Sequence, residues 1–219
     1  VTMPVLDVRS PGEYQQAHIP GAYNLPLFTD EERAVVGTLY KQQGKQKATK
    51  AGLGFFGPKM IAMLEQAAAF QKDFIKTGSS LRPVSTVEGQ GALLVHCWRG
   101  GMRSAGVAWL LDLYGFEVYT LVGGYKAYRK WVLGQFEKEY DFKILGGYTG
   151  SGKTKVLHEL KENGQKIVDL EALANHKGSA FGGMGQPPQR RQEMFENVLA
   201  QELQKVSDTS FWVEDESQR

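Results

Sequence analysis

Apolar residues gather in short runs that stop at glycine-rich loops, and apolar positions at helical spacing follow each loop. Leu93-Leu94-Val95-His96 reads as a buried strand, and Val107, Trp109, Leu110, Leu111 and Leu113 beyond it predict a packed helix. Phe142, Ile144 and Leu145 predict another strand, with Val156, Leu157 and Leu160 on the helix that follows. Two such strand–loop–helix units predict an α/β fold with parallel sheets flanked by helices.

From Asp30 to Ser85 the pattern turns helical. Asp30 is expected to cap a helix starting at Glu31-Glu32, and Met60, Ile61, Met63, Leu64, Ala67 and Ala68 predict a second one with Pro58 near its first turn. Gly52-Leu53-Gly54-Phe55-Phe56-Gly57 between them reads as an apolar loop, tucked into the core rather than covering a site. Gly178 to Pro188 is too rich in glycine for a helix or strand and is expected to be a substrate-binding loop, with Phe181 and Met184 as its large apolar residues.

The two loops carry the chemistry. Gly147 to Thr154 reads G-x-x-x-x-G-K-T, in which backbone N–H groups wrap a diphosphate, Lys153 reaches its outer oxygens and the Thr154 hydroxyl holds magnesium. Gly147, Gly150 and Gly152 supply the turns, and Asp215 or a flanking glutamate after Phe211-Trp212-Val213 is the acidic magnesium partner. The other loop, Cys97-Trp98-Arg99-Gly100-Gly101-Met102-Arg103-Ser104, holds the single cysteine. A thiol between a strand end, a helix N-terminus and two arginines should be depressed in pKa. Arg99, Arg103 and the amides of Gly100 and Gly101 form a cradle for a tetrahedral anion above it. His96 is expected to support the loop, the roles of His158 and His176 stay open, and no His/Cys spacing fits zinc.

Composition narrows the setting. With 42% hydrophobic and 11% aromatic residues the chain has an ordinary globular content, and no apolar run approaches a membrane span or a signal peptide. One cysteine excludes an internal disulfide framework and suits a reducing cytoplasm. Residues 1–140 hold 16 Lys plus Arg against 12 Asp plus Glu, and residues 141–219 hold 10 against 12, so there is no strongly basic tail. Two local clusters are candidates for an RNA backbone and an unpaired base, or for solvated faces: Lys41, Lys45, Lys47 and Lys50; and Lys126, Arg129 and Lys130 beside Tyr125, Tyr128 and Trp131.

Asp7-Val8-Arg9-Ser10-Pro11-Gly12-Glu13-Tyr14 with Ala17-His18-Ile19-Pro20-Gly21-Ala22 resembles the opening signature of rhodanese-like domains, and Val118 to Tyr125 resembles their closing strand and turn. Cys97 and Arg103 enclose five residues, a longer loop than the usual sulfurtransferase type and similar to that of cysteine phosphatases of the same fold. A rhodanese-like domain followed by Gly-Gly-Tyr-Thr-Gly-Ser-Gly-Lys-Thr resembles the tRNA 2-selenouridine synthase family. Asp169-Leu170-Glu171, His176 to Ser179 and Phe211 to Ser217 look like further family segments.

The resemblance implies a rhodanese-like domain over residues 1–140, with a helical insertion at about 28–86, and the N-terminal part of a P-loop domain over 141–219. It implies a cytoplasmic transferase acting on wobble 2-thiouridine of tRNA: geranyl diphosphate geranylates the sulfur, then selenium from selenophosphate replaces the S-geranyl group. Cys97 would be the nucleophile or selenium carrier, Arg99, Gly100, Gly101 and Arg103 would bind selenophosphate, and the Gly147–Thr154 loop would bind the prenyl diphosphate with magnesium. The chain lacks an initiating methionine and stops soon after Phe211-Trp212-Val213, so the P-loop domain is expected to continue beyond it. Read from the residues alone, a Cys-x5-Arg phosphatase and a nucleotide-dependent sulfurtransferase or kinase stay open.

Overall fold

The computed structural model describes residues 3–77, 91–148, 150–176, 185 and 187–215. The chain divides into two compact units, Val1–Tyr128 and Arg129–Arg219. In the first, β1 (Val5–Asp7), β2 (Tyr23–Asn24), β3 (Ala92–His96) and β4 (Glu117–Thr120) form a parallel sheet in the order β2-β1-β3-β4. Its helices are α1 (Pro11–Gln16), α2 (Asp30–Gln43), α3 (Lys45–Phe56), α4 (Met60–Lys76) and α5 (Met102–Leu113), and α6 (Gly124–Gln135) begins in this unit and continues as the first helix of the second from Arg129. The central pair, β1 and β3, is the most apolar, as strands covered on both faces must be. Its register sets Asp7 opposite His96, one residue before Cys97.

The insertion is helical as expected, with two corrections. Thr29, not Asp30, caps α2: Glu32 N donates to Thr29 Oγ1 at 3.2 Å, and Thr29 N donates to the Glu32 carboxylate at 2.9 Å. This reciprocal box satisfies two orphan donors and leaves the Asp30 carboxylate to accept from Gly12 N at 3.0 Å. The segment from Gly52 to Phe56 is the last part of α3 instead of a loop, followed by a 3₁₀ turn at Gly57–Lys59. A side chain at Gly52 would come within 3.2 Å of the Phe28 ring. That close packing offsets the roughly 1 kcal/mol a glycine costs inside a helix. Phe56, Met63 and Ala67 are buried in the same core as Leu6, Val8, Val95, Val107 and Leu111. Each large apolar side chain so buried contributes roughly 1.5–3 kcal/mol, so the insertion helps hold the unit together.

One ion pair lies inside this apolar surrounding. Arg9 Nη2 is 2.6 Å from Asp7 Oδ2, with the two side chains 1% and 0% exposed. Arg9 Nε and its backbone N also donate to the Asp7 carboxylate, and Arg9 Nη2 donates to the Ala17 carbonyl at 2.8 Å. The guanidinium lies 3.8 Å from the ring centre of Tyr125, itself fully buried.

In the second unit, β5 (Phe142–Leu145), β6 (Ile167–Val168) and β7 (Phe211–Glu214) form a parallel sheet in the order β5-β7-β6. Its other helices are α7 (Lys153–Glu162), α8 (Leu170–Ala174) and α9 (Gln192–Lys205). Val168, Val206 and Phe211 form its small buried cluster, packed against Leu170, Leu199 and Leu203. No helix among the described residues is long and apolar enough to cross a membrane.

Arg9→Ala strands the Asp7 carboxylate without its partner and is expected to destabilise the first unit by about 3–5 kcal/mol, measured by urea unfolding. Asp7→Leu combined with Arg9→Met should cost far less, because no unpaired charge remains buried.

Candidate functional site

Cys97 follows β3 directly and is buried, with the loop behind it ending at Gly101, the cap of α5. The thiol receives Gly101 N–H at 3.4 Å and lies 3.3 Å from the Ser104 hydroxyl, which stands 3.0 Å from the Gly101 carbonyl. Burial pushes the thiol up, but hydrogen bonds from the Ser104 hydroxyl and from the backbone of Ser104, Gly101 and Arg99 outweigh it and hold its pKa below the ordinary value. The direction agrees with expectation. The helix N-terminus acts as expected, through the backbone of Gly101 and Ser104, while the Ser104 hydroxyl takes the part expected of the arginine side chains.

Arg103 is occupied elsewhere. Its Nη1 donates to Glu13 Oε2 at 2.8 Å, and the Arg33 Nε lies 3.0 Å from the same oxygen. Burial raises the Glu13 pKa, but Arg103 and Arg33 together bring it down to about 2. Glu13 escaped the sequence reading as a site residue, although Ser10-Pro11-Gly12-Glu13 has capping-box spacing and its carboxylate does accept from Ser10 N at 3.3 Å. Arg99 is exposed at the loop rim.

The loop rests on the first turn of α6, backbone against backbone. Tyr125 N donates to the Cys97 carbonyl and Lys126 N to the Trp98 carbonyl, both at 2.9 Å. Gly124 has φ +57°, and a Cβ there would run into the Cys97 carbonyl oxygen and Gly100 N, so only glycine permits the approach. His96 is buried with Nδ1 3.4 Å from the Cys97 carbonyl, which agrees with a supporting role. Burial pushes its imidazole below the usual range against the pull of nearby Asp7.

The second loop joins β5 to α7. Gly147 takes φ +154°, where a Cβ would crowd Ser151 Oγ at 2.9 Å, and Gly150 and Gly152 also have positive φ. Lys153 Nζ donates to the Gly147 carbonyl at 2.9 Å across the loop. The Thr154 hydroxyl oxygen is 3.3 Å from Glu171 Oε2 and 3.3 Å from Glu214 Oε2. The carboxylates beside Thr154 are therefore Glu171 and Glu214, whereas Asp215 places its backbone N 3.1 Å from the Leu145 carbonyl and extends the strand ladder. A hydroxyl flanked by two carboxylates is an all-oxygen donor set of the kind magnesium prefers. Among the described residues no three His, Cys, Asp or Glu side chains cluster as a metal site. His158 Nε2 pairs with Asp169 Oδ2 at 2.8 Å, and Asp169 also caps α8 through Ala172 N. Thr149, Phe181 and Met184 lie outside the described residues, as does most of the Gly178–Pro188 segment.

The aromatic–basic cluster after Gly124 is mostly structural. Tyr125 lies under Arg9, and Arg129 is bound to α9 through Asn197 Oδ1 at 2.6 Å and the Glu196 carboxylate. Lys126 and Lys130 stay exposed, as do Lys41, Lys45, Lys47 and Lys50 on α2 and α3.

Two sequence families match. The rhodanese-like domain family covers residues 1–130, and the family described as the tRNA 2-selenouridine synthase AAA domain covers residues 140–219. A protein of Nitrosomonas europaea named tRNA 2-selenouridine synthase is 39% identical over 98% of this chain and 53% of its own length. One of the same name from Bdellovibrio bacteriovorus is 41% identical over 94% of this chain and 50% of its own. The chain thus spans about half the length of the curated relatives it matches. A crystal structure of the N-terminal domain of a Clostridium difficile 630 protein named for ATP/GTP binding is 38% identical, with a TM-score of 0.51 over 60% of this chain and 90% of that one.

Ser104→Ala removes a donor to the Cys97 sulfur and should raise the thiol pKa. The pH profile of alkylation by iodoacetamide is then expected to move to higher pH, with a slower rate at pH 7.

Proposed function

Because the chain belongs to the tRNA 2-selenouridine synthase family, we propose that it is part of a transferase converting wobble 2-thiouridine of tRNA to 2-selenouridine through an S-geranyl intermediate. In the first step the 2-thiouridine sulfur attacks C1 of geranyl diphosphate, and diphosphate leaves with the electron pair of the broken C–O bond. In the second, the selenium of selenophosphate bonds to C2 of the base, the S-geranyl group leaves as geranyl thiolate with the electron pair of the C2–S bond, and hydrolysis of the Se–P bond releases phosphate. A tRNA substrate suits a cytoplasmic enzyme.

The observation that carries this reading is the buried Cys97 thiol, whose pKa is held below its ordinary value by hydrogen bonds that include Gly101 N–H and the Ser104 hydroxyl at the start of α5. A thiolate is the competent nucleophile or chalcogen carrier, and an inert core cysteine would not need those donors. Arg99, Arg103 and the amides of Gly100 and Gly101 would hold the selenophosphate. In the second loop, Gly147, Gly150, Gly152, Lys153 and Thr154 would hold the prenyl diphosphate, and Lys153 would stabilise charge as it develops on the leaving group. Thr154, with Glu214, Glu171 and Asp215 near the strand end, would hold a magnesium ion. That ion, when bound, would neutralise diphosphate charge.

A second reading, nucleotide hydrolysis at the Gly147–Thr154 loop, is favoured by the relative named for ATP/GTP binding. Phosphate release from ATP during turnover separates the two readings.

In the full-length protein, Cys97→Ser is expected to abolish selenium incorporation while leaving geranylation largely intact, read by nucleoside mass spectrometry of tRNA given both co-substrates. Equal loss of both steps in a folded variant would refute the division of labour between the loops.

Lys153→Ala should do the reverse. Losing a charge-stabilising contact to the leaving diphosphate costs roughly 3 kcal/mol, or about a hundredfold in geranylation rate. The variant should still convert tRNA supplied already S-geranylated. Normal geranylation by Lys153→Ala would remove the prenyl diphosphate from this loop.

A further inference from the structure

One carboxylate oxygen in the first unit holds two guanidinium groups that come from different elements. Glu13 Oε2 accepts from Arg103 Nη1 at 2.8 Å and lies 3.0 Å from Arg33 Nε. Arg103 belongs to the first turn of α5, directly after the Cys97 loop, whereas Arg33 stands on α2 in the helical insertion. Two cations sharing one oxygen repel each other unless an anion lies between them, and Glu13 cancels one of the two charges. One net positive charge remains, spread over two rigid donor forks. Each guanidinium has five N–H donors, and the Arg33 and Arg103 side chains are 50% and 25% exposed. Donors on both forks are thus left to face solvent at the edge of a loop that carries an activated thiol.

We propose that Arg33 and Arg103, joined through Glu13, form one phosphate-oxyanion site beside the Cys97 loop, with Glu13 as its positioning residue and the helical insertion as a contributor. The inference rests on the reading of the Cys97 loop as a site for phosphate-bearing substrates. It adds two residues that this reading did not include. A paired-guanidinium site takes a tetrahedral oxyanion by fork-to-oxygen hydrogen bonds in fixed geometry. The phosphate of a small donor and a phosphodiester of the RNA both present that chemistry.

The test is protection of Cys97 from iodoacetamide in the full-length protein, followed at the Cys97 peptide by mass spectrometry. Inorganic phosphate is titrated in one arm and an anticodon-loop oligoribonucleotide in the other. Arg33→Gln should weaken protection by roughly fivefold to tenfold in at least one arm, and the arm affected identifies the source of the phosphate. Arg33→Lys keeps the charge without the fork and should fall between; it also stands in should Arg33→Gln misfold. Glu13→Gln separates positioning from bulk charge, because removing an acid tightens anion binding if net charge governs and weakens it if Glu13 holds the forks in place. Weaker protection in both Arg33→Gln and Glu13→Gln supports the site. Wild-type protection that Arg33→Gln leaves unchanged in both arms, or that Glu13→Gln strengthens, overturns it while leaving the Cys97 loop as a phosphate site. No protection of the wild type by either probe removes that underlying reading and the proposal with it.

Discussion

The first unit is organised around a charge pair that water never reaches. Asp7 closes β1 and Arg9 follows two residues later, and the pair is fully buried. Taking two ions out of water costs several kcal/mol each, and their attraction repays this only when the remaining polar atoms are also satisfied. Arg9 meets that demand by binding the Ala17 carbonyl and lying on the Tyr125 ring. The entry into β2, the end of β1 and the start of α6 are thereby tied to one guanidinium. Tyr125 N in turn holds the Cys97 carbonyl, so the position of the Cys97 loop depends on that buried pair.

The two loops handle charge differently. Around Cys97 the sulfur is desolvated, and short-range donors from Ser104 and the backbone stabilise its anion. Such interactions act at full strength because no solvent competes for them. In the other loop Lys153 and Thr154 work near solvent, against carboxylates from α8 and the end of β7. A desolvated thiol and a solvent-facing glycine loop are distinct electrostatic devices.

Much of this was legible in the sequence because the informative signals are local. The apolar run of β3, the glycine pattern of each loop and the helix after each needed only spacing to be recognised. What escaped depends on residues far apart in the chain. Glu13 reads as a helix cap until Arg103 and Arg33 arrive beside it, and nothing in either neighbourhood announces that meeting. Gly52 to Phe56 reads as a loop because propensity counts glycines, whereas the fold counts the Phe28 ring against Gly52. Tyr125 and Arg129 resemble a nucleic-acid surface in composition, but burial and α9 claim them. Spacing offered Asp215 or a flanking glutamate beside Thr154, and only the fold shows that the Glu214 carboxylate reaches the hydroxyl.

The reach of the Asp7–Arg9 pair also bears on how the polypeptide emerges from the ribosome. Its two members and Ala17 all precede the helical insertion in the chain. The strand that lies beside β1 on its inner side and the ring that covers Arg9 come only after the entire insertion has been translated. Parallel pairing across so long a separation is slow. Until Tyr125 is available the nascent chain must keep its arginine hydrated and its β1 edge open, a state exposed to misassociation. The helical insertion, able to form from local contacts, is the part of this unit that can fold while it waits.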